Sequence, residues 1–204
     1  AKDAFKAGAD GLLAVCPYYN KPPQNGVIAH FRAIADATDL GVMVYDIPGR
    51  AGIQITTESL IRLSEHPRIV ANKDAKGDPF AAQQVMHACG LPYYSGDDGL
   101  NLPLLAIGAV GFVSVTGHLV ADRFQAMARA YRSGDVAAAA KINLDMVPVT
   151  TGVMGRVGGA IMVKAALDLL DRPGGGNLRL PLVAADDAQR AQLREDLRAG
   201  GFDL

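Results

Sequence analysis

A lysine that closes a short apolar run is the residue of this sequence best placed to do chemistry. In Arg68-Ile69-Val70-Ala71-Asn72-Lys73-Asp74-Ala75 the uncharged Ile-Val-Ala stretch reads as a strand buried on both faces. Lys73 then sits where a parallel sheet opens into a ligand crevice. A partly desolvated amine at such a place has a lowered pKa and can attack a carbonyl carbon. The rival reading is a structural ion pair of Lys73 with Asp74 or Asp46, since ion pairs perturb lysines as active sites do. Lys76, in the stretch from Asp74 to Asp78, reads as solvated and is the weaker nucleophile.

One β/α unit earlier, Tyr45-Asp46-Ile47-Pro48-Gly49-Arg50 offers two further groups. Tyr45 closes its own apolar strand, where its ring either packs or relays protons to a carbonyl oxygen held near Lys73. Arg50 follows a Pro-Gly turn; it either makes a surface ion pair or grips a substrate carboxylate through two parallel hydrogen bonds. Strand ends also carry Tyr18 and Tyr19, Gly96 with Asp97 and Asp98, and Thr116 to His118. The Tyr18–Pro23 loop reads first as a packed or interface loop, and its two tyrosines suit contact with another surface. Asp97 and Asp98 fit a turn and helix cap better than a paired-carboxylate metal site. No histidine spacing suits a metal, and none is predicted.

These groups need elements to hold them. Gly11–Cys16, Gly41–Tyr45, Arg68–Asn72, Pro92–Ser95 and Val110–Val115 are short, rich in β-branched and aromatic residues, and flanked by Gly, Pro or Asp; they read as strands. Helical periodicity fills the intervals Gln24–Thr38, Thr57–His66, Pro79–Cys89 and Leu100–Gly108, which implies a parallel sheet with crossover helices. After the fifth strand the pattern is helix upon helix: Ala121–Ser133, Asp135–Val149, Gly159–Leu170 and Ala185–Ala199. Asp186 and Asp187 open the last of these, where acidic side chains suit the helix dipole.

Ala1 to Gly8 reads as the last turns of a helix with no capping residue before it. An eight-fold β/α barrel takes about 250 residues. The expected architecture is therefore a (β/α)8 TIM barrel truncated at its N-terminus, with strands 4 to 8 present and a C-terminal helical extension. Residues 1–120 would be the partial barrel carrying Lys73, and 121–204 the last barrel helix with a helical subdomain.

Composition narrows the partners. Half of the 204 residues are hydrophobic, 20% are charged, and the formal net charge is −1. A chain of this kind buries a sizeable core and has no basic field for nucleic acid or anionic membrane. No stretch approaches the roughly 20 apolar residues of a spanning helix, and the start lacks a signal-peptide pattern. Cys16 and Cys89 fit no metal or redox spacing and read as reduced, buried thiols of a cytoplasmic protein.

Pro17-Tyr18-Tyr19-Asn20-Lys21-Pro22, Tyr45-Asp46-Ile47-Pro48-Gly49-Arg50, Lys73-Asp74-Ala75 with Gly77, Ser95-Gly96-Asp97-Asp98 and Gly111-Phe112-Val113-Ser114-Val115-Thr116, in this order, closely resemble the dihydrodipicolinate synthase family. That family is the lysine-pathway branch of the pyruvate-dependent Schiff-base lyases. The resemblance covers nearly the whole chain. It implies a lyase that condenses pyruvate with aspartate semialdehyde in the diaminopimelate route, through an imine on Lys73 and without a separate cofactor. By the same resemblance Tyr45 shuttles protons, Arg50 binds the aldehyde substrate's carboxylate, and Tyr19 reaches a neighbouring subunit's site in a homodimer or homotetramer. Backbone at Gly96 and Val113 would line the pyruvate pocket. In the family the pyruvate carboxylate is also held by a Thr-Thr turn from the front of the barrel, so the units before Ala1 are expected to be needed for turnover. Asp46 stands where many members have Asn, and Gly117-His118 replaces a more usual Ala-Asn. The rivals are a sister aldolase acting on N-acetylneuraminate or on 2-keto-3-deoxy sugar acids, and a non-catalytic barrel scaffold; Arg50 suits a short carboxylated aldehyde better than a polyol.

Overall fold

The computed structural model describes residues 1–204 and divides into two compact units, Ala1–Val113 and Ser114–Leu204. The first unit opens with helix α1 (Lys2–Lys6) and alternates β1 (Gly11–Val15), α2 (Gln24–Asp36), β2 (Gly41–Asp46), the short α3 (Pro48–Ala51), α4 (Thr57–Ser64), β3 (Ile69–Asp74), α5 (Pro79–Cys89), β4 (Tyr93–Ser95), α6 (Asn101–Ala106) and β5 (Gly111–Phe112). All four strand pairings are parallel, and the strands lie side by side in chain order. That order decides the architecture. A doubly wound sheet reverses its strand order so that helices cover both faces, whereas an unreversed order puts every right-handed crossover on the same face. Five strands in chain order are therefore an arc of a barrel.

Burial agrees with that geometry. The helix-facing side of the sheet is sealed by Val42, Val44, Ile69 and Tyr93 against Val27, Phe31, Leu60, Leu63, Val85 and Leu104, all buried. On the other face Leu13, Val15 and Val70 are exposed. Between Val42 and Met43 the pairing with β3 shifts, so two β2 neighbours face three β3 residues, from Ile69 to Ala71. This bulge restores a register in which Tyr45 lies opposite Lys73 and Lys73 opposite Tyr94.

Local chemistry sets the boundaries. Thr56 and Asp78 cap α4 and α5 by accepting the amides of Ser59 and Ala81, and Gly90 ends α5 in the left-handed conformation. The Pro48-Gly49 turn anticipated from sequence is one turn of helix with Pro48 at its first position, closed by Gly52 at φ +78°. The fifth strand is shorter than the expected Val110–Val115: the Val113 amide makes one more sheet bond, to Ser95 O at 2.8 Å, and then the chain turns.

The second unit contains α7 (Gly117–Arg132), α8 (Val136–Asp145), α9 (Val147–Met154), α10 (Gly159–Leu169) and α11 (Asp187–Ala199). The helix expected from Ala121 begins at Gly117 but is broken at Val120, whose φ of −131° is not helical. The single helix expected over Asp135–Val149 is two, because Pro148 has no amide to continue α8. Asp186 and Gln189 form a reciprocal capping box at the start of α11. Gly152 of α9 lets α11 approach closely: a Cβ there would lie 2.8 Å from Asp196 Cβ and 3.1 Å from Leu193 Cδ1. The Arg156 guanidinium grips Asp196 with two bonds of 2.9 and 2.8 Å. Leu193 is fully buried, so Leu193→Ala is expected to lower the unfolding free energy by about 2–5 kcal/mol in denaturant titrations. A loss well below that range would mean that α11 is not docked on α9.

Cys16 is buried in the core of the first unit, as expected; Cys89 is only half-buried, its Sγ donating to Val85 O, and both are free. No helix is long and apolar enough to cross a membrane.

Candidate active site

Strand alternation sorts the residues at the ends of β2 and β3 into two sets. Tyr45 and Lys73 point to the open face, whereas Asp46, Asn72 and Asp74 point back toward the helices and are fully or almost fully buried. The Lys73 side chain folds over its neighbour, with Nζ 4.0 Å from the centre of the Tyr45 ring. Lys73 makes no salt bridge with Asp46 or Asp74; the alternation carries those carboxylates to the opposite face. The residue is 8% exposed. Burial lowers its pKa below that of an ordinary lysine; the nearby charge of Asp98 opposes that shift and Arg50 adds to it.

Gly96 explains how the amine is confined. Its amide donates to Asp74 O at 2.7 Å, which brings the backbone after β4 against the lysine stem. A Cβ on Gly96 would lie 2.8 Å from Lys73 Cε and 2.9 Å from Cγ. Tyr94 flanks Lys73 on the other strand and lies along Gly111, where a Cβ would sit 3.1 Å from the ring. Val113 follows, tied by its amide to Ser95 O.

Arg50 is carried by α3, is exposed, and makes no ion pair within the chain, contrary to the surface-pair reading of a loop arginine. Its charge acts on Tyr45, whose pKa is raised by burial, lowered by Arg50 and raised by Asp97. Beside α3 lies the Tyr18–Pro23 loop. The stem of Lys21 packs on Gly52, with Cε 2.8 Å from where a Cβ would be. Tyr19 and Lys21 both have positive φ, 70° and 43°, and Tyr19 is 93% exposed. Positive φ is uncommon for residues other than glycine, and the loop holds two such positions, one on each side of Asn20.

Asp97 and Asp98 behave as the capping reading anticipated. Asp97 caps the 3-10 turn Asp98–Leu100 by accepting the Gly99 amide at 3.0 Å. Asp98, however, is buried, accepts from Asn101 Nδ2 at 3.3 Å, and supplies the carboxylate felt most strongly by Lys73, a role the sequence reading did not give it. A buried acid one turn beyond Ser95-Gly96 was visible only as a turn pattern. Thr116, Gly117 and His118 belong to the second unit, where Thr116 is buried and His118 is exposed with its ring against Val115 O.

One expectation is overturned. Lys76 is not solvated: its side chain is 6% exposed, its Nζ lies 3.6 Å from Asp46 Oδ2 and donates to Ile55 O at 3.3 Å. The stretch Asp74–Asp78 looks hydrophilic in one dimension, but Asp74 Oδ1 accepts the Lys76 amide and turns the side chain inward, behind the sheet. Asp46 is fully buried; burial pushes its carboxyl up to about 6, against the pull of Lys76 and of the Ile55 amide.

This arrangement offers a desolvated primary amine, a phenol beside it, a guanidinium on the adjoining turn and a backbone wall, which together suit imine chemistry on a small carboxylated carbonyl compound. The dihydrodipicolinate synthetase family matches residues 1–200. The chain is 55% identical over 204 residues to 4-hydroxy-tetrahydrodipicolinate synthase 2 of Streptomyces coelicolor, covering 100% of this chain and 68% of the relative. It superimposes on the dihydrodipicolinate synthase of Cyanidioschyzon merolae with lysine bound at a TM-score of 0.92 and 42% identity, over 98% of this chain and 68% of that one. Against the chloride-inhibited enzyme of Acinetobacter baumannii complexed with pyruvate the TM-score is 0.90 at 33% identity, over 98% and 69% of the two chains. The chain thus spans about two thirds of the length of the curated relatives it matches. These shares agree with the reading of the five strands as part of a (β/α)8 barrel. With a match over nearly its full length, relatives sharing half of its residues and the same fold around its buried lysine, the chain belongs to the dihydrodipicolinate synthetase family.

Proposed function

We propose that the protein condenses pyruvate with aspartate semialdehyde to 4-hydroxy-tetrahydrodipicolinate, a lyase-class reaction of the diaminopimelate route to lysine, in the cytoplasm. The observation that carries this reading is the buried amine of Lys73, held beside Tyr45 and lowered in pKa by burial. The neutral amine attacks the ketone carbon of pyruvate; water leaves and an imine forms. Loss of a methyl proton gives the enamine, whose carbon bonds to the aldehyde carbon of the second substrate. Transimination by that substrate's own amine then frees Lys73. Tyr45 passes protons during these steps, and Arg50, exposed and free of ion pairs, receives the carboxylate of the aldehyde substrate. Backbone at Gly96 and Val113 lines the place of pyruvate. No cofactor is needed, because the imine itself is the electron sink.

The names of the relatives favour this reaction over sugar-acid cleavage. A relative solved with pyruvate supports the first substrate. The exposed side chains of Tyr18 and Tyr19 support a partner copy, in a homodimer or homotetramer, that takes Tyr19 into its own site. The test is borohydride treatment with pyruvate followed by peptide mass measurement. One reduced pyruvyl group on the peptide bearing Lys73, and turnover with aspartate semialdehyde, are expected. Turnover confined to sugar acids, or an adduct on another lysine, would refute the assignment.

A further inference from the structure

Behind the sheet, on the face away from Lys73, lies a buried charged pair that the reaction does not use. Asp46 and Lys76 meet at 3.6 Å with side chains 0% and 6% exposed. Both partners hold the same residue by its backbone. Asp46 Oδ1 accepts the amide of Ile55 at 3.2 Å, and Lys76 Nζ donates to the carbonyl of Ile55 at 3.3 Å. Ile55 itself is fully buried, so the grip is on a fixed point of the core.

Ile55 ends the segment that begins after Asp46 and contains α3 with Arg50. That segment leaves the sheet at β2; Ala51 is buried in the core and Gln24 Nε2 donates to Gln54 O at 2.9 Å, while the Asp46–Lys76 pair holds Ile55 by both its N–H and its C=O. The other end of the grip is equally well placed. Asp46 follows Tyr45 directly and accepts, through its backbone carbonyl, the amide of Ala75 at 2.8 Å; Lys76 stands three residues after Lys73, its amide held by Asp74 Oδ1 at 3.0 Å. The pair therefore joins three backbone segments: the one with Tyr45, the one with Lys73 and the one with Arg50.

A buried ion pair is a poor source of stability, because desolvation of two charges offsets their attraction. The ammonium of Lys76 pairs with Asp46 and acts on Asp74 by its charge alone, and burial raises the pKa of both carboxyls. An apolar filling would hold the fold as well. What an apolar filling cannot do is bond both the N–H and the C=O of one residue and so fix its orientation.

We propose that Asp46 and Lys76 are positioning residues that clamp the backbone of Ile55 and thereby set the Arg50 turn against the strand ends bearing Tyr45 and Lys73. Their consequence for catalysis rests on the reading of Arg50 as the receptor of the aldehyde substrate's carboxylate. The clamp itself does not.

The experiment compares the protein with Lys76→Met, which keeps the apolar stem and removes the ammonium, and with Asp46→Asn/Lys76→Met, which removes both charges and leaves neither orphaned should the single variant fold poorly. Hydrogen exchange read by mass spectrometry should show the peptide spanning residues 47–56 exchanging about ten-fold faster or more, with β3 and the second unit unchanged. In turnover assays KM for aspartate semialdehyde should rise about ten-fold while borohydride trapping of pyruvate on Lys73 is retained. Unchanged exchange at 47–56, or acceleration spread over the whole chain, overturns the clamp. Exchange altered as expected with KM for the aldehyde unmoved overturns its link to Arg50. If the unaltered protein forms no pyruvate adduct, the reaction assigned above fails, and the exchange at 47–56 still decides the clamp.

Discussion

Lys73→Ala and Lys73→Met are expected to leave no reducible pyruvate adduct and to cost about a thousand-fold or more in kcat/KM, since no other amine shares the position above Tyr45. Lys76 is the nearest in sequence, and its ammonium is committed to Asp46 and Ile55 on the opposite face of the sheet. A variant retaining substantial turnover would remove the imine from the mechanism. The pH dependence gives an independent check with a definite sign. Because burial lowers the pKa of Lys73 from 10.5, the neutral amine is populated at a lower pH than in a solvated lysine, so adduct formation by the native protein should rise earlier on the pH axis. For stability the same shift runs the other way. The unfolded chain binds the proton more tightly, so the folded state pays for Lys73 below its lowered pKa, and that cost fades as pH rises through 10.5. Unfolding of the native protein and of Lys73→Met, measured at neutral and at alkaline pH, should therefore differ less at the higher pH.

Gly96→Ala is expected to cost about a hundred-fold in kcat with little change in overall secondary structure. The φ of Gly96 does not lie in the left-handed region, so an alanine meets no backbone strain there; the penalty is steric. Its methyl would lie 2.8 Å from Lys73 Cε and 3.2 Å from Asp74 O, and a backbone oxygen in the sheet does not move aside as a lysine stem can. The lysine must swing, and its amine leaves the place above Tyr45. Circular dichroism and thermal unfolding would confirm that the variant folds, and the rate of pyruvate trapping would report the displaced amine. A trapping rate equal to that of the native protein would show that the Lys73 stem has room to adjust without moving its nitrogen.

Sequence alone settled most of what repeats. The alternation of short β-branched runs with helical periodicity gave a parallel β/α arrangement, and Gly, Pro and Asp at the joints located its elements to within a few residues, because capping and turn chemistry are local. It also located Lys73, Tyr45 and Arg50, since each stands directly at or just beyond the end of a strand-forming run. Two boundaries differ from the pattern: β5 ends early where the chain turns after Val113, and Pro148, a local breaker inside a stretch of otherwise helical period, divides one expected helix into two.

Facing and burial were decided only in three dimensions. A period of two puts Tyr45 and Asp46 on opposite sides of a sheet, but which side holds the helices depends on the unreversed order of the strands. The bulge between Val42 and Met43 then sets Tyr45 opposite Lys73, and no feature of either strand's own residues announces it. Lys76 is the clearest instance. Among Asp74, Gly77 and Asp78 it reads as a solvated residue, yet its partners, Asp46 and Ile55, are 30 and 21 positions away and are brought to it by the pairing of β2 with β3. Sequence could say which residues are capable of acting as acids, bases and nucleophiles. Only the fold, by removing water from some of them and pairing others, determined which amine stays free to react.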